Sequence, residues 1–168
     1  MWNIIEILIK IYATLCDILP QTPRCHRIRG WIYRPFCKKI GKNFQVDRNV
    51  QLQGLRNIEI GDDVYIGYGS WIHGLREGVE FSDQVMLGPY VTIVAGNHGK
   101  ERGSFRFAQG EQGKVRVGYG VWLAAKVTVV AGVTIGDGSL IGANSVVTHD
   151  IPVNVLAAGI PCTVKKDV

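Results

Sequence analysis

The chain has 168 residues, 46% of them hydrophobic, with 21 glycines and a net charge of +5, which is enough apolar material for one domain with a real core. Its four cysteines, Cys16, Cys25, Cys37 and Cys162, show neither paired metal-ligand spacing nor a disulfide framework, and read as reduced thiols of a cytosolic protein. The charge is unevenly placed. Arg24, Arg27, Arg29, Arg34, Lys38, Lys39 and Lys42 have no acid among them; the run suits an anionic partner such as a phospholipid headgroup or a nucleotide-linked sugar, and equally a solvated, irregular connector.

The first predicted element is a helix from Trp2 to Leu19. Asn3, Glu6, Lys10, Thr14 and Asp17 recur every three or four places, one narrow polar stripe on an otherwise apolar helix. Glu6 and Lys10 are spaced for an i,i+4 pair. The stretch is too short and too charged for a membrane span, and it lacks the basic lead and small-residue cleavage site of a signal. Pro20 and Pro23 end it. Its apolar face needs a cover, which protein (the domain's own end or a neighbouring subunit) supplies more readily than the membrane interface. Residues 1–39 are therefore read as an amphipathic helix and a basic connector.

From residue 40 a branched aliphatic recurs every six residues. Ile40, Val46 and Leu52 begin the beat; Ile60, Ile66 and Ile72 continue it after a two-residue slip, and Phe81, Leu87 and Ile93 after a three-residue slip. The clearest run is Val117, Leu123, Val129, Ile135, Ile141, Val147 and Val153, with Val121, Val127, Val133, Ser139, Ser145 and Ile151 four places behind each of the first six. A helix repeats every 3.6 residues and a strand every 2, so neither explains six. A hexapeptide period describes short parallel strands stacked into a solenoid that turns a corner every six residues. Three beats per turn give a triangular prism of about five coils over residues 40–160. Residues 94–114 lack the beat and read as a loop extruded from one corner, of a length that is usually functional or disordered. Pro161 is expected to stop strand pairing, leaving residues 161–168, with Lys165 and Lys166, as a basic tail.

Four histidines are present. His26 lies in the basic connector, His73 follows an inward isoleucine at a corner, His98 stands on the extruded loop between Asn97 and Gly99, and His149 lies between Thr148 and Asp150. No two have a short metal-ligand spacing, so no metal is expected. No nucleophile elbow, Walker loop or dinucleotide fingerprint occurs in a suitable setting. The residues alone yield a solenoid with a polar, histidine-bearing loop, without a reaction.

The segment GVWLAAKVTVVAGVTIGDGSLIGANSVVTHDIPVNVLAAGIPC, residues 120–162, resembles the C-terminal pattern of the hexapeptide-repeat acetyltransferases, among them the galactoside, maltose and polysaccharide O-acetyltransferases. The resemblance extends over about residues 40 to 166. It implies a mainly β fold, a left-handed parallel β-helix, in homotrimers that hold acetyl-CoA between neighbouring prisms. It assigns His98 as general base, Trp122 as a wall of the acyl-CoA cleft, and Ala125 and Ala143 as backbone contacts to the pantetheine arm. Thr148 and His149 fall at the next contact on that arm, and Lys166, or Lys165 in its stead, near the CoA phosphates. Asn97 and His73 are candidates for the acceptor side. Lysine is frequent in the family at the position of His149, and a further basic residue at that of Thr163.

The implied reaction is direct transfer, the imidazole taking the proton of a sugar hydroxyl as it attacks the thioester, with a backbone amide facing the developing oxyanion. The expected acceptor is a hydroxyl of a bacterial surface glycan; the alternative is the amine of a nucleotide-linked amino sugar. A zinc anhydrase requires a three-histidine site that the spacing denies. A silent β-helix assembly scaffold is the non-enzyme alternative. The expected location is the cytoplasm, with peripheral contact to the inner face of the membrane through residues 1–42 as the alternative to packing on protein, and with no nucleic-acid partner.

Overall fold

The computed structural model of the chain describes residues 4–168, the side chains of Ile5 and Glu6 excepted, so Trp2, Asn3 and the expected Glu6–Lys10 pair lie outside the described residues. The six-residue beat becomes a parallel β-solenoid of about five turns, each turn giving one short strand to each of three sheets. The first sheet stacks β1 (Lys39–Ile40), β4 (Ile58–Ile60), β7 (Val79–Phe81), β10 (Val115–Val117) and β13 (Thr134–Ile135). The second stacks β2 (Gln45–Val46), β5 (Tyr65–Ile66), β8 (Met86–Leu87), β11 (Trp122–Leu123), β14 (Leu140–Ile141) and β16 (Val155–Ala158). The third stacks β3 (Gln51–Gln53), β6 (Trp71–His73), β9 (Thr92–Val94), β12 (Thr128–Val129) and β15 (Val146–Val147).

Equivalent aliphatics lie directly above one another: Ile40, Ile60, Phe81, Val117 and Ile135 form one column. A slip of one residue would turn every inward side chain out to solvent, so burial pins the register. The residues four places behind the beat fill the corners from inside. Val121, Val127 and Val133 are buried there, as are Ser70, Ser139 and Ser145. These serines are satisfied: Ser70 Oγ accepts from Val91 N at 3.1 Å, Ser139 Oγ from Val155 N at 3.1 Å and Ser145 Oγ from Gly159 N at 3.0 Å. A buried hydroxyl is tolerated where it captures a backbone donor that would otherwise be unpaired.

Every departure from the six-residue beat falls at the corner between the third and first sheets. There the chain spans Leu52 to Ile60, Ile72 to Phe81 and Ile93 to Val117, while the other two corners keep the beat throughout. The last passage shortens the corner. Ile151 bridges to Ile135 and is 6% exposed, whereas Val153, expected as the seventh inward beat, is 57% exposed. The corner between the first and second sheets is a carboxylate ladder, with Asp62 Oδ1 accepting from Lys42 N at 2.6 Å, Asp83 Oδ1 from Asp62 N at 2.8 Å and Asp137 Oδ1 from Tyr119 N at 2.8 Å. A side chain at Gly118 would overlap the Asp137 carboxylate and stand 2.7 Å from the Asp137 nitrogen.

The N-terminal segment holds two helices, α1 (Ile4–Cys16) and α2 (Pro23–Trp31). The basic connector is therefore not irregular: Thr22 caps α2 by accepting from Cys25 N, and Pro23 begins it rather than ending α1, the position where its missing N–H costs nothing. Arg29 is buried and stitches the helices together, donating from Nε to Cys16 O at 3.1 Å and from Nη2 to Leu19 O at 2.5 Å, a cation placed at a helix C-terminus. Asp17 accepts from Asn49 N at 3.1 Å, tying α1 to the first coil. Only a narrow stripe of α1, including Ile9 and Cys16, is buried, and its broad apolar face stays outward. The chain's end is also corrected: β17 (Thr163–Asp167) pairs antiparallel with β16 after a turn through Pro161, because the chain reverses there and Pro161 occupies the turn, outside the ladder. All four cysteines are free.

Two predictions follow from this packing. Gly118→Ala forces either the Asp137 carboxylate or the coil beneath it to move, and is expected to lower stability by about 1–3 kcal/mol in chemical denaturation, a larger loss than for Gly103→Ala, whose methyl meets nothing within 4 Å and adds only the strain of a φ of 82°. His26 on α2 lies with Nε2 3.7 Å from Asp47 Oδ1, yet burial outweighs that carboxylate and Arg29 adds to the effect, so its pKa is lowered. The unfolded chain then binds more protons, and stability falls as pH drops below about 6.5. The thermal midpoint of His26→Gln should fall less steeply across that window, part of the slope remaining with His73, whose pKa burial also lowers.

Candidate active site

The extruded loop begins after Val94 and returns at Val115. Its base is a hairpin: Gly96 bridges Gln112, and Asn97 N donates to Glu111 O at 2.8 Å. A Cβ on Gly110 would overlap the Asn97 carbonyl, and one on Gly99 the Gln109 carbonyl, so glycine alone permits the two arms to lie this close. Arg76 N donates to Gln112 Oε1 at 3.0 Å, anchoring the hairpin to the coil before it. Asn97 and His98 are both exposed on this fixed base, and no hydrogen bond holds the His98 ring among the described residues. Thr148 and His149 occupy the same corner of the prism two coils later, with Thr148 Oγ1 2.9 Å from His149 Nδ1; both are exposed.

The remaining candidates lie elsewhere. Ala125 and Ala143 stand at the corner between the second and third sheets, stacked in successive coils by the bond from Asn144 N to Ala125 O at 2.9 Å. Their own N–H groups donate to no group among the described residues, and each carries only a methyl, so a narrow chain with amide carbonyls can lie along this corner and accept from them. Trp122 lies on the outer face of the second sheet, 43% exposed, paired with Met86 and Leu140. The column continues through Leu156 to Lys166. Lys166 thus shares the face of Trp122, whereas Lys165 sits where the β16–β17 register shifts, the extra residue of a bulge, with Nζ on Thr163 Oγ1 at 2.9 Å. The pairing separates the two lysines that sequence reasoning left interchangeable.

Within one chain the candidates form two groups with the third sheet between them, one at the corner of the extruded loop and one on the second sheet and its corner with the third. His98, Asn97, Thr148 and His149 belong to one group, and Trp122, Ala125, Ala143 and Lys166 to the other. His73 lies on the outer face of that third sheet, its ring centroid 6.0 Å from that of Trp71. It lines a cleft of about 490 Å³ between α1 and the first coil, together with Thr14, Asn49, Gln51 and Gln53. Sequence reasoning did not single out those polar residues. The available signal was the frame itself, since Gln53 and His73 both follow an inward aliphatic on the same sheet and pair directly. Among the described residues no three of His, Cys, Asp or Glu lie close enough together to hold a metal ion.

Comparison with known proteins agrees with the fold. Residues 114–149 match the family model described as bacterial transferase hexapeptide (six repeats). The chain is 35% identical to the galactoside O-acetyltransferase of Escherichia coli (strain K12) over 95% of its own length and 85% of the relative's. It is 29% identical, over 94% of its length and 83% of the relative's, to a chain of the same organism provisionally named the colanic acid biosynthesis acetyltransferase WcaF. A solved galactoside acetyltransferase in complex with coenzyme A superposes with a TM-score of 0.82 at 29% identity, covering 97% of this chain and 80% of that one. A repeating prism with an extruded histidine loop and this degree of identity places the chain in the hexapeptide-repeat family of acetyl-CoA-dependent sugar O-acetyltransferases, and it is an acyltransferase.

Proposed function

We propose that the chain acetylates a hydroxyl of a sugar in bacterial surface polysaccharide biosynthesis, with His98 as general base, in a homotrimer acting in the cytoplasm. The observation that carries this reading is the division of the candidate residues into two groups with the third sheet of one prism between them. A histidine held on a rigid hairpin needs a thioester within reach, and the corner with free amides lies across a sheet from it. A second copy set beside the first brings the histidine corner of one chain against the alanine corner of the next. The WcaF-named relative, aligned over nearly the whole chain, supports a polysaccharide acceptor.

In this arrangement Ala125 and Ala143 offer their N–H groups to the pantetheine arm of acetyl-CoA, Trp122 walls the groove, and Lys166, with Thr148 and His149 of the neighbour, holds its polar ends. Bound there, acetyl-CoA supplies an activated acetyl group. His98 takes the proton of the acceptor hydroxyl as its oxygen forms the new ester bond, and returns the proton to the departing sulfur, so the imidazole ends as it began. Asn97 beside it and His73 in the cleft under α1 orient the acceptor.

The test is steady-state acetyl transfer over a panel of free sugars, oligosaccharides and nucleotide-linked amino sugars. His98→Ala is expected to lower kcat by about 10²–10⁴-fold while coenzyme A binding by calorimetry stays unchanged. Transfer that survives the substitution removes His98 as the base. Acetylation confined to amines replaces the O-acetylation reading with N-acetylation of an amino sugar.

A further inference from the structure

The apolar face of α1 is left outward by the fold, and its composition continues onto α2. Ile4, Leu8, Ile11 and Leu15 are all exposed and follow a four-three spacing that places them on one stripe of α1, and Ile18 is exposed in the turn that follows. On α2, Arg24, Arg27, Ile28 and Trp31 stand at i, i+3, i+4 and i+7 and are all exposed, while Arg29 and Gly30 on the opposite side are buried. The helices are fixed side by side: Tyr12 Oη donates to Ile28 O at 2.8 Å, and Arg29 binds the last carbonyls of α1. The outward surface of this end is therefore a firm platform of branched aliphatics with a tryptophan and two arginines at its margin.

Cations outnumber acids around it, and the acids there are bound within the fold: Asp17 pairs with Arg29 at 3.8 Å, and Asp62 and Asp63 accept from Lys42 N and Asn43 Nδ2. Lys39 and Lys42 are exposed on the first coil beneath the helices. Arg27 donates to Asn43 Oδ1 at 3.2 Å, and Arg34 to Gly41 O at 2.9 Å, neutral acceptors that leave both charges uncompensated. Two members of the run are paired, Lys38 with Glu59 at 2.8 Å and the buried Arg29 with Asp17 at 3.8 Å. An apolar stripe bordered by an interfacial aromatic and uncompensated cations matches the layered chemistry of an anionic bilayer, hydrocarbon below and phosphate above. The same spacing would seat a helix of a second copy, but that contact sets Arg24 and Arg27 of both chains against each other with no acid on α2 to pair them.

We propose that α1 and α2 form a docking surface for anionic phospholipid membranes, the aliphatic stripe of α1 entering the interface and the cations of α2 and the first coil meeting the headgroups. No helix among the described residues is long and apolar enough to cross a bilayer, so the contact is peripheral. It needs nothing from the catalytic reading, and its test uses no activity.

The experiment is flotation of the full chain with phosphatidylcholine vesicles, with and without about 30% phosphatidylglycerol, beside the molar mass in solution by light scattering. The expected result is binding to the anionic vesicles at least about tenfold tighter than to the neutral ones, weakened by raising salt from about 0.1 to about 0.5 M. Leu8→Glu/Leu15→Glu abolishes it, and Arg24→Glu/Arg27→Glu reduces it by about tenfold or more, both variants keeping wild-type melting and molar mass. Both arginines are exposed, and this variant decides the matter should the leucine pair fail to fold. Absence of binding to anionic vesicles overturns the proposal. So does binding that the variants retain, or a fall in molar mass in the leucine variant, which would make this face a contact between copies.

Discussion

Everything in this molecule depends on keeping one column of side chains above another. Each coil offers its neighbours only two or three paired residues per face, so no single strand is stable alone. Stability comes from stacking, in which a buried aliphatic meets its equivalents above and below while the backbone pairs along the whole prism. That constraint leaves little freedom for variation. Length can change only where the chain leaves one column and has not yet entered the next, and here all changes collect at the corner between the third and first sheets. The hairpin that carries His98 is the largest of these insertions, so the candidate chemistry stands where the repeat tolerates an interruption.

The constraint also explains what could be read from the sequence. Coils four and five, from Val117 to Val147, contain no insertion, and periodicity alone placed every inward residue there. It failed at Val153, because the next passage is two residues short and a fixed period cannot register a deletion; burial of Ile151 decides it. The tail was misread for a related reason. Pro161 excludes continued pairing in the same direction, but the chain reverses before β17 and pairs with its own preceding strand. The second helix was hidden under its charge. Thr22 followed by Pro23 is a helix start by its capping, but the basic residues behind it carry no apolar period to mark the helix that follows.

The site was legible as a set of residues and not as an arrangement. Resemblance assigned roles to His98, Trp122, Ala125, Ala143, Thr148, His149 and the two lysines, and the 18-residue turn stacks Ala125 over Ala143, but the insertions and the reversed last strand hide how the rest are divided over the prism. The fold sorts them onto opposite sides of the third sheet. It also separates Lys166, in column with Trp122, from Lys165 in the bulge. The frame puts Gln53 beside His73, since each follows an inward aliphatic of the same sheet, but it carries no sign of the cleft, which exists only because α1 lies across the first coil.

The division of candidate residues into two groups with the third sheet between them is what a site shared between copies demands, and mixing subunits tests it most directly. His98→Ala chains lack the proposed base, and Ala143→Trp chains have the alanine corner blocked by a bulky ring. Each alone should be inactive. Dissociated together and reassembled, they should recover acetyl transfer, because some interfaces then pair an intact His98 with an intact Ala143 corner. If mixed assemblies form and remain inactive at every ratio, both groups must serve from one chain, and the shared-site account is wrong.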